Sequence, residues 1–292
     1  MIAAAANARA AAAPRRRTFA VLELMRPKGC AGAACYVLLS AWASGAQAAA
    51  LGTLVAALVV ALIVGAAFTF NDVQDVHTDS LIKPSRPLPS RRISPRAACW
   101  AAAALAASAL IGAATLGSAL FAFAVVYVAA SALYSTHLKS TVLAGNVTMA
   151  VLIGSIPIYT GVALGEINAK LVVIAAMMFT FSLAQEILFT LEDRDGDREA
   201  GLTTTATRFA PATSLRLFQL TALIFAAASL LPPLLGLSTS AYLYAALVCT
   251  VIPTLVAALR LPPDADAAAL GRAADTMGTI WWTSIVPLLL MR

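Results

Sequence analysis

Apolar residues in this chain come in long blocks rather than in strict alternation. Blocks lie near residues 20–45, 50–70, 97–113, 117–134, 141–160, 171–190, 212–231, 239–259 and 274–291. Several are close to the ~20 residues that a helix needs to cross a bilayer. Short polar stretches separate them, and the third and fourth are divided only by a turn near Leu116-Gly117. The pattern predicts an all-α fold: a polytopic membrane bundle of about nine transmembrane helices around a central cavity.

Composition agrees. The 292 residues are 61% hydrophobic and 12% charged, whereas a soluble domain is about 25% charged. An ordinary soluble enzyme is excluded. The net charge of +6 would suggest nucleic acid in a soluble protein. Here its placement describes topology instead, and no nucleic-acid partner is expected. If the first helix starts inside, 18 of the 20 Lys and Arg fall on the inner side, leaving only Lys170 and Arg292 outside. The positive-inside rule then puts the N-terminus on the cytoplasmic face. Residues 1–17 contain no acid and end in Arg15-Arg16-Arg17. They read as a basic flexible tail, and residues 18–292 as a single transmembrane domain. Cys30, Cys35, Cys99 and Cys249 form no CxxC pair and read as small packing residues.

The acids are as lopsided as the bases. Of 14 Asp and Glu, only Glu166 falls on the outer side. Acids contribute little to topology, so they need another explanation. The first cluster is Asn71-Asp72-Val73-Gln74-Asp75-Val76-His77-Thr78-Asp79. On a helix, Asp72, Asp75 and Asp79 fall at i, i+3 and i+7 and share a face, with Asn71 beside it. Each carboxylate held at mid-bilayer would cost about 2.5–3.5 kcal/mol. Water, an ion or a charged ligand at the helix end removes most of that cost. The second cluster runs from Gln185 to Arg198, with Asp193 and Asp197 at i, i+4 and Glu186 about two turns earlier. One such cluster is usually a solvated face. Two on the same side are harder to dismiss. Asp72 is expected to close the second helix and Asp193 the sixth, each followed by a charged loop and two more helices. This suggests two four-helix halves plus a ninth helix, with both acidic ends facing one cavity.

Oxygen-only clusters suit magnesium, which binds one or two carboxylates and keeps waters and substrate phosphates in its other positions. Asp72, Asp75, Asp79, Asp193 and Asp197 are therefore the candidate Mg2+ ligands, facing a diphosphate between them. Lys83, Arg86 and Lys139 are placed to pair with phosphate oxygens. An apolar cavity below would shield a lipid tail and a developing carbocation from water. A calcium loop is excluded, because Asp193-x-Asp195-x-Asp197 has no acid at its twelfth position. A transporter of cations or phosphate lipids is a weaker reading, since the acids sit at helix ends on one side.

These residues resemble the UbiA superfamily of intramembrane prenyltransferases. Asn71-Asp72-x-x-Asp75-x-x-x-Asp79 is similar to that family's first motif, and Asp193-x-x-x-Asp197 to its second. Lys83-Pro84-Ser85-Arg86-Pro87-Leu88-Pro89-Ser90 resembles its basic loop, with Arg91 where Gly is usual. Arg26-Pro27-Lys28-Gly29 resembles the first-helix motif; Tyr134-Ser135 with Lys139 and Asn146 resembles the segment after helix 4; Gly201 and Thr204 also fit. The resemblance spans about residues 20–292. It implies a Mg2+-dependent transferase that moves an isoprenyl group from an isoprenyl diphosphate to a hydrophobic, aromatic or lipid acceptor, within the membrane lipid. A UbiA-type terpene cyclase is the alternative, because the same metal chemistry would serve it. On this resemblance Asp72, Asp75, Asp193 and Asp197 are the catalytic candidates. Asn71, Asp79, Lys83, Arg86, Tyr134, Lys139, Asn146 and Glu186 are the substrate-binding ones.

Overall fold

The computed structural model describes residues 19–48 and 50–291, apart from the side chains of Leu81 and Ile82. The expected basic tail, 1–17, lies outside the described residues. All the regular structure described is helical. The chain opens with α1 (Ala20–Met25), α2 (Pro27–Ala43), α3 (Leu51–Gln74) and the short α4 (Val76–Ile82). It continues through α5 (Pro95–Leu116), α6 (Ser118–Thr136), α7 (Ala144–Gly154) and α8 (Ile156–Leu164). The second half begins with α9 (Ala169–Glu192), the short α10 (Arg194–Glu199), α11 (Thr205–Arg208) and α12 (Pro211–Ala228). It ends with α13 (Leu231–Leu234), α14 (Ser240–Ala246), α15 (Ile252–Leu259), α16 (Ala267–Thr283) and α17 (Ile285–Leu289).

Local chemistry sets many of these boundaries. Ser94 caps α5 by accepting from Ala97 N at 3.2 Å, with Pro95 at the first helical position, where its missing N–H costs nothing. Gly117 divides α5 from α6 at φ 118°, a conformation that side chains resist, so the narrow division expected near Leu116-Gly117 is real. Asn168 caps α9 through Leu171 N. Between α14 and α15 a π-turn, Leu247–Val251, precedes Pro253. Proline offers no N–H to the carbonyl four residues back. That carbonyl, on Cys249, accepts from Thr283 Oγ1 of α16 at 2.7 Å instead.

Among the described residues, seven helical stretches are long and apolar enough to span a membrane: 51–74, 95–116, 118–136, 144–164, 169–192, 211–234 and 240–259. The first and last expected spans are present in pieces. Arg26, in the left-handed region at φ 50°, breaks α1 from α2, and Ser284 separates α16 from α17. Large apolar residues including Leu58, Ile111, Val126 and Val248 are exposed on the outside. Such a surface belongs in lipid rather than water.

Two helices organise the bundle. α3 packs on α1, α2, α5 and α6, and α9 packs on α7, α12 and α16. Both are 24 residues long and end in the same way. α3 stops at Asp75 (φ −87°, ψ 1°) and α9 at Asp193 (φ −82°, ψ 0°), and each restarts as a short helix. The second helix therefore ends three residues beyond Asp72, not at it. Main-chain bonds of the i→i−4 kind still cross each break, Asp79 N to Asp75 O at 2.8 Å and Asp197 N to Asp193 O at 2.9 Å. The helical spacing of the acids thus survives the bend. Tyr36 of the first half, with Met177, Phe181, Phe225, Ile280 and Trp281, lines a small apolar cavity of about 40 Å³. That is space for about one water, so this cavity is closed to a prenyl chain in this conformation.

Candidate active site

The first cluster is held by basic residues from three other segments. Asp72, 4% exposed, accepts from Arg26 Nη2 at 2.7 Å and lies 3.6 Å from Arg86 Nη1. Arg86 donates to Asp79 Oδ2 at 2.7 Å, and Asp79 is also buried. Asp75 Oδ2 accepts from Lys139 Nζ and, at 2.8 Å, from Asn71 Nδ2. The other end of that amide, Asn71 Oδ1, is buried and has no hydrogen-bond partner among the described residues.

The second cluster lies alongside. Lys83 spans the two, its Nζ 3.8 Å from Asp193 Oδ1. Asp197 sits close enough to Asp193, Lys139 and Asp75 to feel their charges. Burial raises the Asp197 carboxyl above the usual range, with Asp193 and Asp75 pushing the same way and Thr204 and Lys139 opposing. Tyr134 of α6 is half-buried and couples electrostatically to Glu186, Asp75, Asp197 and Asp193. The structure therefore brings Asn71, Asp72, Asp75, Asp79, Lys83, Arg86, Tyr134, Lys139, Asp193 and Asp197 to one end of the bundle, with Glu186 deeper.

Asn146 has a different placement. Its Nδ2 donates to Glu186 O at 3.1 Å and Thr190 Oγ1 at 2.8 Å, and its Oδ1 accepts from Thr205 Oγ1 at 2.6 Å. Thr205 Oγ1 in turn accepts from Leu143 N at 2.9 Å. Both ends of the amide are thus committed to clamping α7 to α9 and α11. Asn146 thus ties helices together at the edge of the site. Its backing of the loop that carries Lys139 is structural. His77 and His137 are exposed.

Arg26 is the residue that spacing alone did not single out. Its guanidinium lies 4.6 Å from the Phe68 ring centroid as well as on Asp72. Its place in Arg26-Pro27-Lys28-Gly29 was the available signal; the left-handed break that turns it toward Asp72 was not. The loop after the first cluster carries a second such residue. Arg91 has φ 58°, which explains why glycine suits that position.

Could a magnesium ion fit these residues? The donors are all oxygens: carboxylates, plus the orphaned Asn71 Oδ1. Among the described residues no three His, Cys, Asp or Glu side chains form a cage for a metal. Magnesium does not ask for one, since it takes one or two carboxylates and completes its shell with water and phosphate. The residues fit an ion shared with a phosphorylated ligand.

A model of the UbiA prenyltransferase family matches residues 32–283. The chain belongs to the UbiA prenyltransferase family. It is 33% identical over 248 residues to digeranylgeranylglyceryl phosphate synthase of Methanopyrus kandleri, a match covering 85% of this chain and 91% of that one. A solved structure of a digeranylgeranylglyceryl phosphate synthase shares the fold at TM-score 0.74 and 23% identity, covering 94% of this chain and 97% of that one. A UbiA homologue from Archaeoglobus fulgidus bound to DMAPP and Mg2+ shares it at TM-score 0.66 and 20% identity, covering 90% and 98%. As a UbiA family member, this chain is a multi-pass membrane prenyltransferase. The comparisons support transfer and lend nothing to the cyclase alternative.

Proposed function

We propose that this enzyme moves an isoprenyl group from an isoprenyl diphosphate to the hydroxyl of a glycerol-phosphate lipid, releasing diphosphate, with magnesium bound between the two acidic clusters. One observation carries the site: two helices from the two halves end at Asp75 and Asp193 with matching geometry, and Lys83 links the clusters. The lipid acceptor is supported by the synthase from Methanopyrus kandleri, whose product is such a lipid.

Asp72, Asp75, Asp193 and Asp197 are the residues that would hold the metal, with Asp79 and Asn71 beside them. Bound magnesium neutralises charge that gathers on a diphosphate as its carbon–oxygen bond breaks. Lys83, Arg86, Lys139 and Arg26 supply further positive charge. Each is paired to a site carboxylate. A diphosphate competes for those same donors, and charge-assisted bonds to it are the stronger kind. The ring of basic residues belongs on the cytoplasmic face, a placement supported by the 18-to-2 distribution of Lys and Arg.

The test is product analysis with the purified protein in detergent. Magnesium and geranyl, farnesyl or geranylgeranyl diphosphate are supplied with and without a glycerol-phosphate lipid or an aromatic acceptor. The expected result is diphosphate release that needs the lipid and gives a joined prenyl ether. A joined product with the aromatic acceptor alone would replace the proposed acceptor. A terpene formed without any acceptor would overturn transfer.

A further inference from the structure

The mechanism above gives no role to the acid buried deepest behind the second cluster. Glu186 lies on α9, on the face shared by Thr190, Asp193 and Asp197, since these fall at i, i+4, i+7 and i+11. It stands seven residues before Asp193, roughly 10 Å deeper along the helix. Among the described residues no Lys, Arg or His pairs with it. Its side chain is not sealed in protein but remains partly accessible. An ionisable group at this depth is costly and usually functional. The main chain holds it in place, because Asn146 Nδ2 and Thr190 Oγ1 both donate to Glu186 O, at 3.1 Å and 2.7 Å. The titratable neighbour that couples to it is Tyr134 on α6.

We infer that Glu186 is the general base of the transfer. This rests on the reading of the site as a prenyl diphosphate site with a hydroxyl acceptor. A diphosphate held at Asp193 and Asp197 would carry its prenyl group into the apolar interior, the side of the cluster on which Glu186 lies. The step balances without a further reactant. The acceptor oxygen bonds to C1 of the prenyl group, and the C1–O bond to diphosphate breaks with its electron pair leaving on the diphosphate. The hydroxyl proton passes to the Glu186 carboxylate, which returns it to water after product leaves. A hydroxyl keeps its proton near neutral pH, so attack without a base would leave a positively charged ether oxygen in an apolar cavity. A carboxylate becomes neutral on taking the proton, so it adds no cation–cation repulsion to the developing allylic charge.

The experiment compares wild type, Glu186→Gln and Glu186→Asp as full chains in detergent. Thermal unfolding, the Kd for a non-reactive farnesyl thiolodiphosphate with magnesium, and the single-turnover rate of transfer to the lipid alcohol are measured. The expected result is a Kd within threefold of wild type for both variants. Transfer should fall about 10²–10⁴-fold for Glu186→Gln, the usual yield of general-base catalysis, with Glu186→Asp between. Wild-type transfer by Glu186→Gln overturns the inference. So does a loss of analogue binding that accounts for the lost transfer, which would make Glu186 a binding group. If Glu186→Gln does not fold, Glu186→Asp decides: slower transfer at unchanged Kd supports the base, and an unchanged rate refutes it. Failure of the wild type to join the two substrates would instead sink the acceptor reading, before any variant is compared.

Discussion

Asp75 and Asp193 stand at equivalent points of the two halves, each ending a 24-residue helix with ψ at 1° and 0°. Each is followed by a short helix that carries the next acid of its cluster, Asp79 or Asp197. A helix end in the bridge region exposes main-chain and side-chain groups to the same space. The duplication gives the site two facing sets of carboxylates without any long acidic segment inside the bilayer.

The two clusters should respond differently to neutralisation. Asp72 is buried against Arg26 and Arg86, while Asp193 has a side chain 58% exposed and only a 3.8 Å approach from Lys83. Asp72→Asn leaves Arg26 short of its carboxylate, while Arg86 keeps Asp79, and part of the 3–5 kcal/mol typical of a broken buried pair is expected. Arg26 is itself 37% exposed, so solvent reduces this to about 1–3 kcal/mol. Asp193→Asn should stay within about 0.5 kcal/mol of wild type. Thermal unfolding in detergent checks the order, and both variants should be inactive.

Much of this arrangement was legible in the chain itself. The spacing of Asp72, Asp75 and Asp79 gave a common face, and hydropathy located the helices that carry both clusters. Gly117 announced the split between α5 and α6. Other features depend on tertiary contacts that no local pattern encodes. The bend falls at Asp75 rather than Asp72, a position that the spacing of the acids does not show. Asn146 looks like a cavity residue by type, yet Thr205, 59 positions away, takes its carbonyl. Arg26 reads as an ordinary cytoplasmic cation until its left-handed backbone points it at Asp72. The nine apolar blocks likewise do not show that the first and last are broken into pieces by Arg26 and Ser284.

Arg26 should prove functionally important. Its bond to Asp72 fixes the carboxylate most deeply placed in the first cluster. Removing a charged hydrogen bond of this kind is worth about 1.5–3 kcal/mol. Arg26→Gln is expected to raise the KM for prenyl diphosphate about tenfold or more, with the larger share of the effect in KM rather than kcat. Steady-state kinetics in detergent gives the split.

Arg91 offers a stabilising change. A side chain in the left-handed region costs about 1–2 kcal/mol, and Arg91 is exposed. Arg91→Gly relieves that strain, offset in part by the extra freedom of glycine when unfolded. A net gain of about 0.5–1 kcal/mol is expected, seen as a rise of a few degrees in Tm with activity unchanged.

Acid should weaken the metal site at Asp197 before it affects an ordinary carboxylate. Burial raises this carboxyl, so it takes up its proton at a higher pH than free Asp does. Only the carboxylate binds magnesium. Lowering the pH from 7 to 5 should therefore raise the magnesium concentration needed for half-maximal binding of farnesyl thiolodiphosphate, and Asp197→Asn should flatten that dependence. Magnesium titrations at several pH values measure it.

The central claim is that both clusters hold one diphosphate through magnesium. The most direct measurement is the binding of farnesyl thiolodiphosphate to wild type, Asp72→Asn and Asp193→Asn, each with magnesium and with a chelator, by calorimetry. The account predicts tight binding only for wild type with magnesium, and at least a tenfold loss in either variant. Binding that survives chelation, or that either folded variant retains in full, would contradict it.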